Sequence, residues 1–212
     1  MAKKLTSLAL ALVMCLSLCV PAFAYNREES FDEKTYFVPM TREEYITSKA
    51  TSQNMSYEAA AAELDEKIAN AIAEIPSVRV WDPDTTVDNG DTTYTSYGRI
   101  YKVYTHASGL KMRYSAEAVK LRSTQGANWI EVNENSAWCQ PEGSGNHNFI
   151  GNPTAKLLSN TQIRLAVTRY FEIAESTAIS SGINLEFFSS SVSVGGTTYY
   201  RDNVNTSHIE RA

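Results

Sequence analysis

At Pro76 the hydrophobic period of this 212-residue chain falls from about 3.6 to 2, and no other feature limits the fold as tightly. Before that point Tyr57, Ala61, Leu64, Ile68, Ala71 and Ile75 recur in steps of four and three. The spacing predicts one amphipathic helix from Ser56 to Ile75, with Ser56 as N-cap and Pro76 as the stop. Alanines at 59 to 62, 69, 71 and 73 add helix propensity. Its apolar stripe needs a cover, for which docking onto the rest of the chain is favoured over a coiled-coil seam. A shorter helix begins at Thr41-Arg42-Glu43-Glu44, which has the form of a capping box, and runs to about Ala50. Residues 25 to 40 show no period and read as a loose arm.

After Pro76 the chain turns to Tyr, Thr, Ser and Val, punctuated by Gly and Asn. Thr92 to His106 and Leu110 to Arg122 flank Ser108-Gly109, which suggests a hairpin with a two-residue turn. That turn places Thr105 opposite Met112, Val103 opposite Tyr114 and Tyr101 opposite Ala116 on an apolar face. On the wet face His106 opposes Lys111, Tyr104 opposes Arg113 and Lys102 opposes Ser115. Past Ala118 the apolar phase moves to Val119 and Leu121, so a bulge is expected there. Further strands are expected at 127–134, 155–159, 162–175, 183–188, 192–200 and 204–209. The expected class is therefore α+β, mainly β: an N-terminal helical segment over residues 25–76, then an antiparallel β-sandwich or open barrel over 77–212.

Residues 1–24 read as a cleaved secretory signal, with Lys3 and Lys4 ahead of the apolar run Leu5 to Val20 and Ala22-Phe23-Ala24 before the cleavage point. The run is short of the roughly 20 residues that span a bilayer comfortably. Cys19 raises a lipoprotein signal as a rival, but Leu18 stands where a small residue is needed. The expected location is extracellular, with no membrane span in the mature chain. Cleavage removes Cys15 and Cys19, leaving Cys139 alone, so stability must come from a core rather than a disulfide.

Cleavage also leaves 17 Lys and Arg against 24 Asp and Glu, a formal charge of −7. The acidity is concentrated in residues 25–75, with five basic and eleven acidic side chains, whereas the remainder is close to neutral. A net acidic chain is a poor partner for the phosphate backbone, which argues against nucleic acid.

Catalytic chemistry has little support. Neither a nucleophile-elbow motif, nor His-Glu-x-x-His, nor a phosphate-binding glycine loop occurs. Cys139 with His147 is the one nucleophile and base within loop reach, and a small buried cysteine beside Trp138 is the simpler reading. Asp82, Asp84, Asp88 and Asp91 could surround Ca²⁺, but Thr86 and Val87 break the EF-hand pattern and a solvated linker is the simpler reading. No cofactor or metal is expected.

Binding chemistry has more. Between Arg99 and Arg122 six Lys and Arg face one acid, Glu117. The two-residue turn would gather Lys102, Tyr104, His106, Lys111 and Arg113 on the wet face, with Arg113 over the Tyr104 ring. The segment Gln140 to Pro153, with three Gly and two Pro, reads as a long loop able to carry recognition through His147 and Phe149. Trp129 and Trp138 could stack on sugar rings, although core placement is commoner for tryptophan. The leading expectation is a secreted non-catalytic protein that binds an anionic polymer or a partner protein through this hairpin. The alternative is that the acidic segment 25–76 lies against the basic hairpin and masks it, as a pro-segment would.

Overall fold

A computed structural model describes residues 35–74, 93–123, 126–143 and 147–212. The expected signal segment, residues 25–34, Pro76 and the acidic stretch 82–91 lie outside the described residues.

Thr35–Met40, expected to belong to a loose arm, forms strand β1. It pairs antiparallel with β2 (Tyr94–Thr105), from Thr35 opposite Lys102 to Met40 opposite Tyr97. The Phe37 ring lies against Gly98, where a Cβ would collide with it, so the glycine lets the strands close. Pro39 is tolerated because β1 is a sheet edge.

Helix α1 (Arg42–Gln53) starts from the capping box. Thr41 Oγ1 accepts from Glu44 N–H at 3.1 Å and Glu44 Oε2 accepts from Thr41 N–H at 2.7 Å. It runs past Ala50 and ends at Asn54 in the left-handed region, φ 54°. Helix α2 (Tyr57–Ala73) is capped by Ser56 Oγ, which accepts from Ala59 N–H at 3.1 Å. Its stripe is buried chiefly through Ala60 and Leu64, which join Tyr45, Ile46, Ala50 and Val119 in one apolar cluster.

β2 continues into β3 (Lys111–Ser123) and β4 (Gly126–Glu142), giving a first sheet of order β1-β2-β3-β4. The second sheet contains β5 (Asn148–Ser159), β6 (Gln162–Ala174), β7 (Ser190–Val194) and β8 (Thr197–Arg211) in the order β5-β6-β8-β7. Every pairing is antiparallel. Ile100, Tyr104, Met112 and Tyr114 from the first sheet share one core with Phe149, Leu165, Val167, Phe171 and Val204 from the second. The chain is α+β and mainly β.

The β2–β3 hairpin differs from the expected register by one residue. Its loop is Ala107-Ser108-Gly109, closed by His106 N–H to Leu110 O at 2.7 Å, with Gly109 at φ +84°. A three-residue loop ending in a left-handed glycine is a stable alternative to the two-residue turn. Tyr104 therefore opposes Met112, and Lys102 opposes Tyr114. A slip of one residue turns one strand over relative to the other: β3 keeps Met112 and Tyr114 inward as expected, whereas β2 is reversed, with Lys102 and Tyr104 inward.

The irregularity expected near Ala118 is on β4 rather than β3. The β2–β3 ladder passes Ala118 unbroken, and the β3–β4 register shifts between Ser115 and Glu117 and again between Val119 and Lys120. Tyr114 through Val119 are all buried; the second sheet covers one face of β3, and on the other face the helices cover Val119.

Three further expectations are corrected. Residues 183–188 carry a 3₁₀ turn, Leu185–Phe187, after a short helix α3 (Glu175–Ser180), instead of a strand. Expected strands 192–200 and 204–209 are divided elsewhere: Gly195-Gly196, both at positive φ, form the turn and β8 runs unbroken. Most of the expected loop 140–153 is strand, ending β4 and opening β5, with Pro153 on an edge strand. Among the described residues no helix is long and apolar enough to cross a membrane.

Candidate functional site

The outer face of the first sheet is divided by the helices. Side chains in register across the sheet share a face, so the row Met40, Tyr97, Val119, Glu131 lies under α1 and α2. Two rows away, Tyr36, Tyr101, Ser115 and Trp138 stand in register across all four strands. Tyr36 and Trp138 are each 39 % exposed.

β4 puts Trp138 there through its excursion at residues 134–137. Ser136 Oγ pins the excursion by accepting from Glu117 N–H at 2.8 Å and donating to Asn133 O at 2.6 Å. Ser115 then lies between two aromatic neighbours, Tyr101 on one side and Trp138 on the other. Two strand spacings separate them, about 9.5 Å, and the Arg113 guanidinium covers the slot side of the Tyr101 ring, so Trp138 is the open aromatic wall. A cavity of about 410 Å³ occupies the slot, with Val38, Pro39, Arg99 and Arg113 also in its walls.

The polar groups of the slot are only partly satisfied. Arg113 Nη2 donates to Glu142 Oε1 at 2.7 Å, and its guanidinium lies 4.5 Å from the centre of the Tyr101 ring, which stacks on Tyr36 at 4.9 Å. Arg113 Nε nevertheless has no hydrogen-bond partner among the described residues, and neither has Ser115 Oγ, although Ser115 is 2 % exposed. A buried donor left unpaired costs about 1–3 kcal/mol. Arg99, at the other end, donates to Glu117 at 2.6 Å.

This site keeps two of the residues singled out from sequence, Arg113 and Trp138, with Lys111 exposed farther along the same face, and separates them from the rest. Lys102, Tyr104 and His106, expected on the wet face, point into the core at 2 %, 3 % and 4 % exposure. Tyr104 stacks on Phe171, and it is Tyr101, not Tyr104, that lies under Arg113. His106 Nε2 donates to Asp202 Oδ2 at 2.8 Å while Nδ1 accepts from Ser108 N–H, an arrangement that closes the hairpin turn onto β8. His147 donates from Nε2 to Lys111 O at 2.8 Å, and Phe149 packs edge-on against Phe171. Trp129 is in the core beneath Lys120 Nζ.

Cys139 is half-buried on the core side of β4, and burial pushes its thiol up, away from the thiolate a nucleophile requires. No hydrogen bond joins it to His147. No group of three metal-ligating side chains occurs among the described residues.

Helix docking onto the first sheet is built on ion pairs. Helices α1 and α2 supply the cations and the sheet supplies the anion: Lys49 and Lys67 both pair with Glu131, at 2.8 and 2.7 Å. Comparison with protein-family models, with curated proteins and with solved structures finds no significant match to this chain.

Arg99, Tyr101, Tyr36 and Ser115 were missed by sequence reasoning. The signal lay in the turn. With Ala107-Ser108-Gly109 as the loop, odd-numbered residues of β2 and β3 face outward, and the slot follows.

Proposed function

We propose that the protein is a secreted, non-catalytic binding module that takes an anionic polymer on the open half of its first sheet. The observation that carries the reading is the unpaired Ser115 hydroxyl at the floor of a slot walled by Tyr101 and Trp138, with the unpaired Nε of Arg113 beside it. The exposed Trp138 indole accepts a sugar ring by its apolar face. The floor offers an O–H and an N–H to oxygen acceptors, and Arg113 favours a carboxylate among them. Lys111, exposed on the same face, adds attraction at longer range.

The test is retention on a polyuronate matrix at low and moderate salt. Arg113→Gln and Trp138→Ala are each expected to weaken binding by about tenfold or more, in line with about 1.5–3 kcal/mol for a charged hydrogen bond. Lys156→Gln, a charge change on the exposed face of the second sheet, is the control and should alter little. Unchanged retention in the Arg113→Gln, Trp138→Ala double variant defeats the proposal.

A further inference from the structure

Resting on the reading of the Ser115 slot as a ligand site, we infer that the groove continues past Trp138 and holds two successive units of a glycan. An acidic unit sits in the slot and an amino-sugar unit sits in the cleft beside α1. Two cavities meet at Trp138: the slot of about 410 Å³ and a cleft of about 910 Å³, which share Trp138, Arg99 and Glu44 in their walls. One exposed indole bordering both is the arrangement a chain ligand meets when it stacks on an aromatic and continues beyond it.

The two ends differ in polarity. The slot has Arg113 and the unpaired Ser115 hydroxyl. The cleft is walled by one stripe of α1, on which the side-chain hydroxyls of Thr47 and Ser48 have no hydrogen-bond partner among the described residues and are free for the ring oxygens and hydroxyls of a sugar. On the same stripe Glu43 is exposed and makes no ion pair among the described residues, while Glu44 is engaged in the capping box. Beside Glu43 a second uronic acid is disfavoured, so a polyuronate is held by the slot alone. A chain whose uronic acid alternates with a free-amine hexosamine meets complementary charge at both ends.

The experiment is calorimetric titration of the mature chain with a hexasaccharide of alternating uronic acid and N-acetylhexosamine, and with the same hexasaccharide after N-deacetylation. The free-amine form is expected to bind about tenfold tighter, and Glu43→Gln should remove that advantage without changing the affinity of the N-acetylated form. Thr47→Trp, an exposed position that fills the cleft, should weaken both hexasaccharides and leave binding of a lone uronic acid unchanged. Equal affinity for the two forms, or an effect of Glu43→Gln on neither, overturns the amino-sugar assignment. Hexasaccharide binding untouched by Thr47→Trp overturns the extension while the slot stands. Failure of every probe, the lone uronic acid included, overturns the slot reading with it.

Discussion

Lys49 on α1 and Glu131 on β4 meet at 2.8 Å, at 0 % and 5 % exposure. The same carboxylate accepts from the Tyr45 hydroxyl at 2.8 Å and from Lys67 Nζ at 2.7 Å. One sheet side chain therefore anchors both helices, with Glu63 completing the cluster through Lys49 and Lys67. Burying an ion costs several kcal/mol, which this arrangement offsets by giving the carboxylate three donors. The helices are thereby fixed over the Val119 end of the face, and the Ser115 end is left open.

Removing the anion should be far worse than removing both charges. Glu131→Ala leaves the Lys49 ammonium buried with only Glu63 nearby, at an expected cost of about 3–5 kcal/mol. The Lys49→Met, Glu131→Gln double variant, which keeps an acceptor for Tyr45, should lose clearly less. Urea unfolding measures both; a cost below about 1 kcal/mol for Glu131→Ala would show that the cluster does not hold the helices.

Acid should loosen the same cluster. Hydrogen bonds from Lys67 and Lys49 hold the Glu63 carboxyl below the usual range, against a smaller opposing effect of burial. A depressed folded value means that stabilisation is present above the ordinary value of 4.5 and is lost as pH falls through the folded one. Glu63→Gln should therefore flatten the acid limb of the stability curve between about pH 5 and 3. Because the side chain is 40 % exposed, salt should reduce the effect as well. An acid limb identical to that of the parent protein refutes this assignment.

At the alkaline end the core tyrosines decide. Burial pushes the Tyr114 phenol up to about 12, only partly offset by the neighbouring Thr206 hydroxyl, and burial with Glu131 beside it raises Tyr45 as well. A raised folded value keeps its full stabilisation below the unfolded value of 10 and loses it as pH rises through the folded one. For Tyr114 that loss is about 2–3 kcal/mol between pH 10 and 12. Tyr114→Phe should lower the slope of the alkaline limb, followed by tyrosinate absorbance during unfolding; an unchanged slope counts against the buried phenol.

The hairpin register rests on Gly109. At φ +84° an alanine is strained, so Gly109→Ala should cost about 1–2 kcal/mol in thermal or chemical unfolding. No neighbouring atom lies within 4 Å of the Cβ position, so a steric clash cannot account for the loss. A neutral substitution would favour the two-residue turn and its opposite arrangement of faces.

Much of the secondary structure was legible because it is set by neighbours in the chain. The Thr41 capping box, the Ser56 cap and the three-and-four spacing of α2 act within one or two turns, so their residues announce them. The site was harder to read. Arg113 and Trp138 are visible as cation and indole, but the partner of Arg113 was misassigned to Tyr104 because a single loop residue separates the two hairpin readings. Ser115 carries no signal at all, since nothing in its local sequence says that it will lie between Tyr101 and Trp138. Likewise, Phe149 looked like a loop residue until β5 proved to begin at Asn148, while His147 lies in the bend just before it.

What the sequence determined by itself was the two capped helices and a β body of alternating strands. These depend on local dihedral preference and on the period of the apolar residues. Tertiary structure alone decided which face of β2 meets water, where α1 and α2 lie, and that Ser115 is buried without a partner. Those outcomes depend on pairing between distant strands, where one residue of register reverses every side chain, and on a buried Lys49–Glu131 contact spanning 82 residues of chain.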